Sequence, residues 1–310
     1  MSRRPWKGAK RWAGYALLLA GRRLFGLLPR ACAERWGERL GRLAWRLART
    51  ERRRTLEHLA LAFGEEMDEA ARAEIGHRVF GNLGRVAVEL LRAGREGPER
   101  IAARVEAPEA ERVAEAARER GAVCVIAHMG NWELLAAVAT RHLPVTVVAR
   151  RLYFAPYERL AARLRAHVGL RVVYQDESPR PLLRALRGGG LVGILADQDV
   201  RHAGGAFVPF FGRPAYTPTA PAALARASGA PLYLAVAPRV DGRYRLLLEG
   251  PIETKRGGSR EEDVLAATAD WSARLEKIIR RYPDQWVWMH RRWRTTPAKR
   301  PEAPVWTPPA

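Results

Sequence analysis

An α/β fold, with a largely parallel central sheet flanked by helices and an N-terminal helical extension, is what this 310-residue chain predicts. Three observations carry the prediction. Between residues 122 and 196, short apolar runs suited to strands alternate with segments of helical period, as in a sheet crossed by helices. The composition, 47% hydrophobic and 28% charged, is that of a folded chain long enough to bury a full core. The net charge of +21 is concentrated at one end, where residues 1–54 hold sixteen Lys or Arg against Glu34, Glu38 and Glu51.

Residues 1–60 read as a basic, membrane-associating helical segment. Trp12 to Gly21 is apolar on every side of a helix, and Leu24, Phe25, Leu27 and Leu28 follow Arg22 and Arg23. Ten apolar residues are too few to span a bilayer, which takes about twenty. A secretory signal is the rival reading, but two Arg stand where a small-residue cleavage site belongs. Such excess charge seeks an anionic surface, and the interleaved apolar residues favour lipid over nucleic acid. The cations are nearly all Arg, with Lys only at 7, 10, 255, 277 and 299. Arg suits bidentate phosphate contacts, although a GC-rich genome gives the same bias. Trp36, Leu40, Leu43 and Leu47 then recur at helical spacing, a stripe that reads as core packing at least as readily as membrane contact, so the first helix is the better membrane candidate.

Residues 61–294 read as a catalytic domain. Asp68 to about Ala93 predicts a helix with Ile75, Val79, Leu83, Val86 and Leu90 on one face, and Pro108 and Gly121 bracket another. The alternation follows: strand 122–127, helix 131–141, strand 145–149, helix 155–167, strand 171–174, helix 180–187 and strand 191–196. Asp197 to Pro218 is rich in Gly and Pro and reads as a loop with an aromatic patch, Phe207, Phe210 and Phe211. A helix over 221–228, strands over 232–237 and 244–249, and a last helix opened by the Ser259 and Glu262 capping box complete the domain. The Pro-rich tail, residues 295–310, lacks periodicity and is expected to be mostly disordered. Cys32 and Cys124, the only cysteines, give neither a disulfide framework nor a thiolate metal site, and with the basic flanks they suggest the cytoplasmic face.

The chemistry gathers at strand ends. His128 and Glu133, in the run Ala-His-Met-Gly-Asn-Trp-Glu, follow a buried-looking strand and open a helix for which Asn131 is the expected cap. An imidazole base needs a partner to fix its tautomer, and a carboxylate supplies one. Asp197-Gln198-Asp199 follows the strand ending at Ala196 and so belongs to the same edge, where it can orient His128, bind a metal or cap a loop. Arg150 and Arg151 follow the intervening strand and bring positive charge to that edge. A Gly-x-Ser-x-Gly elbow, a Walker A loop, a dinucleotide fingerprint and a His-Glu-x-x-His motif are all absent, leaving only His128, Glu133 and Asp199 as a conceivable metal set.

These residues carry a resemblance. His128 to Glu133 is similar to the His-x4-Asp/Glu motif of glycerolipid acyltransferases. More specifically, the chain resembles the bacterial lipid A biosynthesis (lauroyl/myristoyl) acyltransferases. Asp197 to Asp199, Phe207 to Gly212, Thr217, Thr219 and Ala222 to Ser228 look like that family's second block, and Trp286 to Arg292 like its C-terminal block. The resemblance covers about residues 50–294. It implies direct transfer of an acyl chain from an acyl carrier protein or coenzyme A thioester to a hydroxyl of a phosphorylated glycolipid. A lipid A precursor is the expected acceptor, with a phosphatidylinositol mannoside the alternative. No cofactor, metal or nucleic acid enters that reading, and the expected place is the cytoplasmic face of the bacterial inner membrane, peripheral or partly inserted.

In this reading His128 is the general base, and Glu133, Asp197 or Asp199 orients it. Arg150, with Arg151, binds phosphate or steadies negative charge. Asn131, Gln198 and Phe210 complete the substrate side, the aromatic patch serving as acyl slot or as packed core. A metal-dependent hydrolase and a non-catalytic binder of anionic membranes are the rivals from other classes.

Overall fold

A computed structural model describes residues 5–200, 204–255 and 257–307. The first four residues of the basic arm, residues 201–203 of the Gly- and Pro-rich segment, residue 256 and the last three of the tail lie outside the described residues.

Four helices lead the chain: α1 (Pro5–Leu27), α2 (Arg30–Leu47), α3 (Arg49–Phe63) and α4 (Glu69–Ala93). Helix α1 runs unbroken through Arg22 and Arg23, and among the described residues no helix is long and apolar enough to cross a membrane. The Asp68 carboxylate caps α4 by accepting from Ala71 N at 2.7 Å. Short α5 (Pro98–Ala102), β1 (Val105–Glu106) and α6 (Ala110–Arg120) lead into β2 (Ala122–Gly130), α7 (Glu133–Ala139), β3 (Val145–Ala149), α8 (Ala155–His167), β4 (Arg171–Tyr174), α9 (Arg180–Arg187) and β5 (Leu191–Leu195). Then come β6 (Gly205–Phe210), β7 (Arg213–Pro218), α10 (Ala220–Ser228), β8 (Leu232–Ala237), β9 (Arg239–Val240), β10 (Arg243–Arg245), β11 (Leu247–Ile252) and α11 (Arg260–Arg281).

The central sheet has the order β11-β8-β2-β5-β3-β4, parallel throughout except where β11 returns antiparallel to β8. Its middle strands are buried on both faces, hence their near-continuous apolar runs. Alternation along β2 sends Val123, Val125, Ala127 and Met129 to a core closed by α3, α10 and α11, and Cys124 to the opposite core under α6 and α7.

Four expectations are corrected. The segment before Pro218 is not all loop, because β6 and β7 pair as an antiparallel hairpin. The tail is ordered through residue 307: Phe207 N donates to Pro304 O and Trp306 N to Phe207 O, at 2.8 and 2.9 Å. The strand expected over 244–249 is split, with Tyr244 in the small sheet β1-β10-β9 and residues 247–252 in the main one. Finally, the Trp36, Leu40, Leu43 and Leu47 stripe is exposed, and α2 turns Ala33, Gly37 and Gly41 inward instead.

Candidate active site

The pairing of β2 with β5 builds the site. Ile126 lies level with Leu195, so two residues further on His128 and Asp197 emerge side by side at the carboxyl edge of the sheet. His128 Nδ1–H donates to Asp197 Oδ1 at 2.7 Å. The other carboxylate oxygen accepts from His128 N and from Trp286 Nε1, both at 2.9 Å. Asp197 is fully buried. Burial alone raises its pKa, but the adjoining His128 charge and hydrogen bond outweigh that, and the carboxyl is held below the usual carboxylate range. With Nδ1 protonated by this arrangement, Nε2 of His128 presents the lone pair a general base needs.

The C-terminal block completes the constellation. Val287 N donates to His128 O at 3.1 Å, and Met129 bridges Trp286, so residues 286–290 dock along the end of β2. They bring His290 beside His128, with ring centroids 4.9 Å apart and planes at 86°. The Gln198 amide nitrogen lies 2.9 Å from His128 Nδ1 and 3.1 Å from its Nε2, over the ring and off the in-plane lone pair, and 3.1 Å from His290 Nε2, to which it can donate a hydrogen. Burial, then the nearby His128, pull the His290 pKa down to about 4, so the ring is neutral at physiological pH. Its Nδ1 is buried with no partner among the described residues. Behind this block, His58 Nδ1–H of α3 donates to Trp288 O at 2.7 Å.

The loop after His128 is fixed from both sides. Gly130 sits at φ +60, and a Cβ there would come within 1.8 Å of Ala237 O, so only glycine fits. Asn131 does not cap α7. It is fully buried, and its Nδ2 donates to Glu89 of α4 at 2.6 Å, while Glu89 also accepts from Tyr244 OH at 2.7 Å and pairs with Arg104. Burial raises the Glu89 pKa despite Arg104.

The other expected residues fall in different places. Glu133 stands exposed in the first turn of α7 and accepts from Trp132 Nε1 at 3.2 Å; the imidazole's carboxylate partner is Asp197. The Asp199 oxygens take Arg294 Nη2 and Thr295 N at 2.9 and 2.7 Å, which anchors the start of the tail. Arg150 is exposed at the end of β3. Arg151 pairs with Asp176 and Glu177 and stacks 3.8 Å over the Tyr174 ring. Phe210 is core, packed on Trp286 and under the Arg292 guanidinium at 4.7 Å. Among the described residues no three His, Cys, Asp or Glu side chains converge on a metal position.

An apolar cleft of about 1000 Å³, its open mouth included, adjoins the dyad. Trp132 and Glu133 stand on its lining with Cys124 and Ile126 of β2, and Val145, Val147 and Leu191 continue it. His128 lies two residues beyond Ile126 on the same strand, and its ring sits 4.9 Å from that of Trp132. Burial pushes the Cys124 thiol up to about 12, far from a reactive thiolate. Arg165 is the cationic member of the lining, and its Nη1 is buried without a partner among the described residues. Reading the sequence missed Trp286, His290 and Arg165. The first two lie in the Trp286–Arg292 block already singled out by resemblance, whereas Arg165 is one Arg among many.

Comparison with known proteins gives the family. The chain is 30% identical over 292 residues to the lipid A biosynthesis lauroyltransferase of Escherichia coli (strain K12), covering 92% of each protein. It is 25% identical over 260 residues to the myristoyltransferase of the same organism, covering 81% of this chain and 77% of that one. With the phosphatidylinositol mannoside acyltransferase of Mycolicibacterium smegmatis it shares 27% identity over 179 residues, and the chain spans only 57% of that relative's length. The sequence model of bacterial lipid A biosynthesis acyltransferases matches residues 6–295. Nearly the whole chain lies within that match: it belongs to the bacterial lipid A biosynthesis acyltransferase family, and so to the acyltransferases.

Proposed function

We propose that the protein moves a fatty acyl chain from an acyl carrier protein or coenzyme A thioester to a hydroxyl of a phosphorylated glycolipid, a lipid A precursor first among acceptors. The observation that carries this reading is the His128–Asp197 dyad beside an apolar cleft that Ile126 of the same strand and Trp132 line. The cleft takes the hydrocarbon chain and presents the thioester carbonyl to Nε2 of His128. As the acceptor oxygen attacks that carbonyl, His128 removes its proton, and Asp197 stabilises the imidazolium that forms. The tetrahedral intermediate collapses to the ester, and the departing thiolate takes the proton back, so the donor leaves as free thiol. His290, neutral and packed beside His128, keeps a second positive charge out of the site. Glu133, at the rim, faces the acceptor, and Arg150 offers its guanidinium to a phosphate on the same edge. Membrane contact through the basic, apolar α1 places the site at the inner-membrane surface, on its cytoplasmic face, where both substrates are found.

The test is turnover of purified protein, read by mass spectrometry with acyl carrier protein and coenzyme A donors in parallel. The acceptors are a lipid A precursor and a phosphatidylinositol mannoside. His128→Ala is expected to fold and to lose about a hundredfold or more of the transfer, the scale of general-base loss. Turnover near that of the unmodified protein would sink the mechanism. Transfer confined to the mannoside would redirect the acceptor.

A further inference from the structure

Helix α2 has two faces, and its rotation is fixed by the inner one. A Cβ on Gly37 would come within 2.6 Å of Gly84 O, one on Gly41 within 2.0 Å of Phe80 O, and one on Gly84 within 2.1 Å of Gly37 O. The backbones of α2 and α4 therefore touch, and no other rotation of α2 brings glycine to that seam. The acidic residues of α2 are also held on the inner side. Glu34 pairs with Arg30 and Arg239, and Glu38 with Arg42 and Arg85.

What turns outward is apolar and cationic. Trp36, Leu40, Leu43 and Leu47 are 47%, 47%, 48% and 72% exposed, at spacings that keep them in one row. Arg35, Arg39 and Arg46 are exposed beside them, and the Arg39 guanidinium lies 5.5 Å over the Trp36 ring. Four large apolar side chains in water along one helix mark an interaction surface.

We propose that this face of α2 lies in the plane of an anionic lipid surface, its Trp and Leu row inserted among the acyl chains and its Arg rows on the headgroup phosphates. The chemistry selects that occupant. A second copy of the chain would bring Arg rows against Arg rows across a two-fold axis, whereas an anionic bilayer meets both the charge and the apolar row. The row belongs to a helix locked on α4, which also carries Glu89 and through it Asn131 of the site loop, so insertion orients the catalytic edge rather than merely tethering the chain. Binding is read without turnover, so its outcome is independent of the transfer chemistry.

The experiment measures partitioning of the full chain onto vesicles of phosphatidylglycerol and phosphatidylcholine across a salt series, for the unmodified protein, Leu40→Glu/Leu43→Glu and Leu40→Lys/Leu43→Lys. Thermal melts should be unchanged, because these side chains face solvent. The Glu pair is expected to bind about tenfold or more weakly at every salt concentration. The Lys pair should bind at low salt and lose more of that binding than the unmodified protein as salt rises toward about 0.5 M, where screening removes the charge contribution and only the α1 contact, common to all three proteins, remains. Equal partitioning of all three proteins would overturn the proposal. So would a dimer in vesicle-free buffer that the Glu pair dissociates, since the face would then belong to a second copy.

Discussion

Asp197 accepts three hydrogen bonds, two from His128 and one from Trp286, and is fully buried. Asp197→Asn keeps the shape but gives the imidazole an amide in place of its carboxylate. We expect a folded protein whose kcat is lower by about a hundredfold or more, read by steady-state kinetics beside circular dichroism. Unchanged turnover would remove Asp197 from the mechanism. His290 gives a different signal. Its folded pKa of about 4 lies below the unfolded value, so the stability its neutral burial carries is complete above about pH 6.5 and is lost as pH falls toward 4. His58, whose pKa burial also lowers, adds to the same acid limb. His290→Gln should therefore lose less stability between pH 7 and pH 5 than the unmodified protein, by on the order of 2 kcal/mol, in denaturant melts at the two pH values. Parallel losses would show that His290 is not held neutral. At this scale the sequence was half legible. Strand ends pointed to His128 and the Asp197 pair, but not to which carboxylate meets the ring. Chain spacing suggested Glu133, whereas the strand pairing that levels Ile126 with Leu195 supplies Asp197. His290 arrives through a long-range docking that no local pattern encodes.

Elements bounded by Gly and Pro were read closest to their true limits: β3, β4, β8, α8 and α9 fall where apolar runs and breakers placed them. The β6–β7 hairpin was hidden by its prolines. Phe211 and Gly212, at φ 51 and 68, form a two-residue turn closed by the pair Phe210–Arg213. The next pair, Pro209 with Pro214, then falls at a non-hydrogen-bonded position, where the missing N–H interrupts nothing. Phe207, two residues further along β6, likewise points its N–H outward, and Pro304 of the tail accepts it. Proline content thus concealed the hairpin and, with it, the partner that orders the tail. Helix α2 was misread for another reason: its packing face is glycine and alanine, which hydrophobic periodicity does not register. Gly41→Ala tests that seam. With Phe80 O within 2.0 Å of the new Cβ, α2 must shift, at a cost of about 1–3 kcal/mol in thermal or denaturant melts. Faster hydrogen exchange in α2 than in α11 should accompany the loss. An unchanged melt would mean that α2 and α4 do not meet so closely.

Across the whole molecule, the expected division at residue 60 falls inside α3, and the third of the leading helices is built into the core. Leu59 and Phe63 sit in the main core, His58 holds Trp288, and Arg54 donates to Met289 O at 3.2 Å, so α3 supports the block that delivers His290. Helix α1 is attached more lightly. It meets the body through Arg92, which donates to Phe25 O and Leu28 O, and through Trp12 and Tyr15 against Phe154 and Tyr157. Two shortened chains separate these roles. A chain beginning at Arg30 keeps α2 and α3 and should melt cooperatively within a few degrees of the full protein, because only partly exposed contacts are lost. A chain beginning at residue 61 exposes the core that Leu59 covers and strips the support from Trp288. Removing a buried Leu side chain alone costs about 2–5 kcal/mol, and here two whole helices go with it. We therefore expect calorimetry to show a transition lowered by about ten degrees or more, or none, and transfer to a detergent-dispersed acceptor to vanish with it. If the chain from residue 61 melts and turns over like the chain from Arg30, α3 is an accessory to the fold, and His290 is held in place by the tail and sheet alone.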